Sequence, residues 1–394
     1  MSAIHAMILA AGLLGLLAIF AAIFAVRIGT PLLLAFIGLG MLAGEDGLGG
    51  IPFDDFQIGY MVGSLALVVI LFEGGLSLRR SDLRPALLPA VILATLGVAI
   101  SCAVFAGVLV FFFTVPWLSA LLLGAAVAPT DAAAVSVLLR VSTIKLPKRV
   151  VALLELESGL NDPMSVFLTI AIVEIVTHRA AMTPSHAVTM FVREMGGGAL
   201  LGLAGGEGLR WLLRNMKLPP SVLPVLALSA ALLLFGAAQS LEASGFLAVY
   251  LAGGVIAVRP HPEAEPVKQF FQALGWLAQI ALFLMLGLLV TPHDLMQLLG
   301  PALIAALVLI FLARPLAVAF CLLPFGWTLR ETGFVAWAGL RGGVPIYLAM
   351  IPVLANQGSG ERLFGSVFVI VVASVALQGW TIRPLAKWLK LSVG

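Results

Sequence analysis

The chain has 394 residues, 61% hydrophobic and only 10% charged, with a formal charge of +3. Soluble domains carry about 25% charged residues, so this composition excludes a soluble domain and describes a polytopic protein of the lipid bilayer. The small positive charge does not imply nucleic-acid binding, and Cys102 and Cys321, far apart in apolar stretches, argue against a disulfide framework or thiolate metal site.

A helix that crosses a bilayer needs about 20 mainly apolar residues. By that rule the spans fall at roughly 4–26, 28–44, 58–78, 86–113, 117–139, 150–176, 188–213, 221–240, 244–258, 270–290, 299–323, 331–353 and 363–386. That is about thirteen transmembrane helices, an all-α membrane protein. No Lys or Arg occurs in the first 26 residues, so the first span lacks the charged start of a secretory signal and is read as retained. Basic residues collect in cytoplasmic loops. Alternate loops hold 17 of the 22 basic residues, whereas the opposite loops hold only Arg179, Arg193 and Arg362. The split predicts a multi-pass protein of the cell (inner) membrane with its N-terminus outside and its C-terminus in the cytoplasm.

The fifth span is interrupted at Pro129-Thr130-Asp131 and the twelfth at Gly339-Leu340-Arg341-Gly342-Gly343-Val344-Pro345. Proline removes a backbone donor and clashes with the preceding turn. Non-helical backbone survives at membrane depth only when buried in protein or lining a cavity. Each break could be a plain proline kink, but each also carries a charge. They lie seven spans apart, an odd offset, so the two broken spans run in opposite directions. An inverted repeat predicts that arrangement, and paired interrupted spans point to a transport site. Spans 1–6 then match 8–13, with 188–213 as a connecting helix.

The sixth span contains Glu155, Glu157, Ser158, Asn161, Asp162 and Pro163. An acid at membrane depth is a functional residue by default. Burial disfavours the carboxylate, so Asp162 can hold either a proton or a bare alkali cation. Asn161 adds a neutral carbonyl oxygen, or else bridges helices. With Asp162 as the only titrating group, one proton leaves for each monovalent cation bound, which predicts electroneutral exchange. Thr130 offers oxygens at the first break, and Ser158 lies one turn from Asn161. The expected cation ligands are therefore Asp162, Thr130 and Ser158 with Asn161. Asp131 is expected to neutralise half-helix N-termini. Glu157 and Arg341 are both expected in the membrane, and the simplest arrangement pairs them. Glu155, seven residues before Asp162, is a candidate access or pH-sensing group, as is Glu73 before Gly74-Gly75. Glu207 and Arg314 have no assigned partner. No phosphate-binding glycine loop, His pair at metal spacing or nucleophile elbow occurs. The chain is accordingly read as a secondary transporter, not an enzyme, with no cofactor.

The motifs Pro129-Thr130-Asp131, Glu157-Ser158-Gly159-Leu160-Asn161-Asp162-Pro163 and Gly339-Leu340-Arg341-Gly342-Gly343-Val344-Pro345, together with Leu71-Phe72-Glu73-Gly74-Gly75-Leu76, resemble those of monovalent cation/proton antiporters of the NhaP and CvrA type. The resemblance covers the whole length. It implies an antiporter fold with two crossed broken helices, a homodimer, a dimerisation part (1–78 and 221–290) and an ion-translocating core (86–176 and 299–390). Ion contacts carry over to Thr130, Ser158, Asn161 and Asp162, and a Glu–Arg pair to Glu157 and Arg341. Ala132 stands where many relatives have proline. The alanine run and the Asn-Asp-Pro ending favour potassium over sodium. That branch often has a cytosolic regulatory domain after its last helix; the sequence stops at Gly394, which is read as either a short homologue or the loss of that tail. The rival readings are a sodium-coupled solute symporter, which would need a roomier polar pocket, and a gated cation channel.

Overall fold

The computed structural model describes residues 2–28, 30–78, 80–132, 134–135, 138, 146–178, 184–259 and 261–391. Arg79, Arg140, Lys145 and Arg179 of the loop charge pattern, and Ala133 of the alanine run, lie outside the described residues. Helix dominates throughout. It runs through α1 (Ser2–Ile28), α2 (Leu32–Ala43), α3 (Phe56–Leu76), α4 (Arg80–Ile92), α5 (Val98–Phe113), α6 (Trp117–Val127) and α7 (Lys148–His178). It continues with α8 (Pro184–Phe191), α9 (Gly197–Asn215), α10 (Leu223–Ser240), α11 (Gly245–Val258) and α12 (Ala264–Leu288). The last helices are α13 (Leu299–Val308), α14 (Arg314–Leu322), α15 (Leu329–Trp337), α16 (Gly343–Leu354) and α17 (Gly360–Trp388). Among the described residues, eight helical stretches are long and apolar enough to cross a membrane, and α2, α6, α11 and α16 are shorter apolar helices.

The expected breaks explain two of the short helices. After α6 the chain is non-helical through Ala128–Asp131, and between α15 and α16 it is unwound around Gly339–Gly342. The repeat is also visible in a feature the sequence did not predict. A π-helical turn, Leu93–Gly97, joins α4 to α5, and a second, Leu309–Ala313, joins α13 to α14. These turns occupy the fourth and eleventh spans, which the seven-span offset pairs; a third, Val192–Gly196, lies in the connecting span and has no such counterpart among the described residues. Such π turns recur at functional sites.

The helices pack in two groups. One gathers α2, α3, α9, α10, α11 and α12; the other gathers α4 to α7 with α13 to α17. Glycines allow the first group to close backbone on backbone. A Cβ at Gly75 would lie 2.2 Å from the Tyr250 carbonyl oxygen, and one at Gly253 would lie 2.4 Å from that of Phe72. At the start of α7, Arg149 donates its Nε to Glu331 Oε1 (2.5 Å) and lies over the Trp327 ring. Glu331 also completes a capping box with Thr328 at the start of α15. Glu207 proves to be shared by Arg210 and Arg259, which ties α9 to the end of α11.

One polar clasp lies outside the spans. The backbone N–H of His293 donates to Asp46 Oδ2 at 3.0 Å, and its Nδ1 lies 2.7 Å from the same oxygen. The bond from the His293 backbone, then that from its ring, holds the Asp46 carboxyl below its usual range. The Asp46 hydrogen bond, then the charges of Asp294 and Asp46, push His293 above its usual range. A lowered acid stabilises above its ordinary pKa and loses the effect as pH falls; a raised histidine stabilises below its ordinary pKa and loses the effect as pH rises. The clasp should therefore contribute most between about pH 4 and 6.5. The melting-temperature difference between the wild type and His293→Ala should be largest there and should vanish at alkaline pH. A constant difference across pH would refute the ionic reading.

Candidate functional site

The site forms where the two breaks meet α7. The Asp131 N–H donates to the Leu340 carbonyl at 2.7 Å, which joins the first break to the second. Asp131 Oδ1 accepts the Ala134 N–H at 3.0 Å, in the manner of an N-cap. Its other oxygen lies against Gly342, where an added Cβ would approach it to 2.4 Å. Asp131 thus faces the N-terminal end of α16 as well as the Ala134 N–H, where positive backbone dipole ends favour a carboxylate.

Arg341 serves the opposite ends. Its guanidinium donates to the carbonyls of Ala128 (2.7 Å) and Pro129 (3.0 Å). These carbonyls follow the last turn of α6, where orphan acceptors favour a cation. The Arg341 N–H donates to Ser374 Oγ at 3.3 Å. The Ser374 hydroxyl donates to Gln378 (2.5 Å), whose amide donates to the Trp337 carbonyl (2.8 Å). A polar chain from α17 thereby holds the second break.

This placement overturns the Glu157–Arg341 pair. Glu157 is instead gripped by Arg314, with Nη1 to Oε1 at 2.5 Å and Nη2 to Oε2 at 2.9 Å. Both side chains are buried. Arg314 directly follows the π turn of its span, and Arg341 is committed to the freed carbonyls. The missed signal was an imbalance. Arg314 is a second intramembrane arginine that the sequence reading left without a partner, and the proline break supplies backbone acceptors for Arg341.

On α7, the Ser158 hydroxyl donates to the Thr130 carbonyl (2.8 Å) and accepts the Ala132 N–H (3.2 Å). Asn161 Nδ2 donates to Thr130 Oγ1 at 2.8 Å. Asn161 Oδ1 is buried with no partner in the protein. Asp162 follows it and is 9% exposed. Ser158, Thr130 and Asn161 are thus brought together, with Asp162 next to Asn161 on α7. Glu155 and Glu73 lie apart from them, both half-buried. The Tyr250 hydroxyl reaches the Glu155 carbonyl at 3.5 Å, and Glu73 accepts from Ser77 at 3.1 Å while facing Gly275.

Sequence reasoning missed Tyr250, which sits in an apolar run. Its ring lies against Gly159, where an added Cβ would stand 2.1 Å from Cε2. This is a contact between the two helix groups, α7 against α11. Gly159→Ala should destabilise the protein by about 1–3 kcal/mol through overpacking. A melting curve checks this, and trimming Tyr250 to leucine in the same protein should restore the loss. An unchanged melting temperature for Gly159→Ala would show that the contact is loose.

A sequence profile described as the transmembrane sodium/hydrogen exchanger matches residues 15–388. A protein of Alkalimonas amylolytica named a K(+)/H(+) antiporter NhaP is 43% identical over all of this chain, which spans 68% of that relative. A K(+)/H(+) antiporter NhaP2 of a Shewanella species (strain ANA-3) is 41% identical over 93% of this chain and is 64% covered. The chain thus spans about two-thirds of the length of these curated relatives. In fold it is similar to the sodium proton antiporter MjNhaP1 of Methanocaldococcus jannaschii, with a TM-score of 0.81, 24% identity, and 97% of this chain and 100% of that one covered.

Proposed function

This chain belongs to the sodium/hydrogen exchanger family, and on that premise we propose that it exchanges a monovalent cation for a proton across the membrane. The observation that carries the proposal is the buried acid Asp162, with no ion-pair partner among the described residues, next to Asn161 Oδ1, which has no hydrogen-bond partner in the protein, at the meeting point of two broken helices. Alkali cations take oxygen ligands, and this cluster is made of carboxylate, amide and hydroxyl oxygens. Proton and cation compete for the Asp162 carboxylate. The Asn161 carbonyl and Thr130 Oγ1 complete the ligand set, and Ser158 holds the Thr130 carbonyl in place. Asp131 and Arg341 balance the half-helix ends, and Glu157 with Arg314 anchors α7 to α14. Glu155 and Glu73 lie on approaches to the site. With one titrating group, exchange is 1:1, electroneutral and by alternating access.

Potassium is favoured over sodium, in keeping with the names of the relatives at 41–43% identity. The alternation of basic loops supports an external N-terminus in the inner membrane. The first helix group corresponds to the dimerisation part of a homodimer and the second to the translocating core. The test is a cation panel in proteoliposomes with an imposed pH gradient. Addition of K+, and to a lesser extent Na+, should dissipate the gradient at a rate indifferent to membrane potential. Dissipation that requires an organic solute, or that follows the potential, would defeat the proposal.

A further inference from the structure

We propose that Ser165 and Thr169 line the route by which the transported cation, with its remaining water, passes between Asp162 and the membrane face opposite the basic loops. The proposal rests on the reading of Asp162 as the carrier. At 3.6 residues per turn, Ser158, Asn161, Asp162, Ser165 and Thr169 share an arc of about 100° on α7. The helix rises about 1.5 Å per residue, which puts Ser165 about 4.5 Å and Thr169 about 10 Å beyond Asp162. Both lie toward the His178 end, away from Lys148 and Arg149.

Their hydroxyls depart from the common pattern of this protein, as do those of Ser101 and Thr332 on other helices, but of these only Ser165 and Thr169 lie on the face that carries Asp162. A helical serine or threonine ordinarily donates to the carbonyl four residues back. Ser64, Thr95, Thr177, Ser366 and Thr381 all do so. Ser165 and Thr169 are wholly buried and have no hydrogen-bond partner in the protein. Asn161 Oδ1 is a third buried oxygen without a partner on the same stripe. Buried polar atoms are nearly always paired, and an unpaired one carries a penalty. Three in succession on one face, leading away from the acid, form a file of oxygens. Neighbours four residues apart are about 6 Å from each other. One water or one partly dehydrated alkali cation bridges such a gap. Hydroxyls both donate and accept, so the file serves either direction of passage.

The test uses the full chain with Cys102→Ala and Cys321→Ala, reconstituted with known sidedness. Ser165→Cys and Thr169→Cys are treated with a membrane-impermeant thiol reagent added to one face at a time. Both should react from the face opposite the basic loops. Ala171→Cys, at similar depth but off the stripe, should stay unreactive. No reaction at Ser165→Cys and Thr169→Cys from that face during turnover, or equal reaction at Ala171→Cys, would overturn the proposal. Labelling reads access alone, so its outcome is separate from that of the pH-gradient assay. Thr169→Val should also slow cation uptake from that face several-fold, and Thr169→Ser should restore it. An unaltered rate in Thr169→Val would count equally against the route.

Discussion

Replacing Asp162 with asparagine is expected to reduce cation-driven proton movement to the level of vesicles without the protein. Asparagine keeps the shape of the side chain but can neither release a proton nor present a charge. Among the described residues, the neighbouring acids have contacts of their own. Arg314 holds Glu157, and the Asp131 carboxylate accepts the Ala134 N–H and packs at Gly342. Loss of transport should come without loss of fold. Burying a carboxylate is unfavourable, so Asp162→Asn should melt at or above the wild-type temperature. The measurement is fluorescence of a pH-sensitive dye in everted vesicles after addition of K+ or Na+. Persistent cation-dependent dissipation would remove Asp162 from the mechanism. A companion change, Asn161→Asp, places a second carboxylate beside the first. It should make exchange sensitive to membrane potential, because two protons could then leave for one cation.

The second large effect concerns the buried ion pair. Glu157→Ala and Arg314→Ala should each destabilise the protein by about 3–5 kcal/mol, since each leaves an uncompensated charge inside the fold. Replacing both with leucine should cost far less than the sum, because neither charge is then stranded. A double-mutant cycle on thermal or denaturant unfolding measures the coupling. Strong coupling is expected between Glu157 and Arg314, and weak coupling between Glu157 and Arg341. The reverse ranking would restore the pairing that the sequence alone implied. Arg341→Ala should instead loosen the first break, because the Ala128 and Pro129 carbonyls lose their donor.

The sequence was informative where the membrane makes a residue expensive. Asp162, Asn161 and the two proline- and glycine-containing breaks stand out against apolar surroundings. They do meet in the folded protein, through the Asn161–Thr130 and Asp131–Leu340 contacts. The seven-span offset between the breaks, and hence the inverted repeat, is a count along the chain and needs no coordinates. Partner choice is different. Glu157 and Arg314 are 157 positions apart, and nothing local distinguishes Arg314 from Arg341 as the partner. Ser165 and Thr169 look in sequence like ordinary helix hydroxyls, which usually satisfy themselves on their own backbone.

The sequence by itself therefore determined the membrane setting, the two breaks and the acid between them, because burial cost acts on each residue separately. Only the tertiary structure decided which arginine neutralises Glu157, that Arg341 closes the Ala128 and Pro129 carbonyls left open where the chain unwinds, and that Tyr250 packs against Gly159. Those outcomes depend on which helix faces which. That choice is made by glycine-mediated approach and by the rotation of each span about its axis, including the π turn that immediately precedes Arg314.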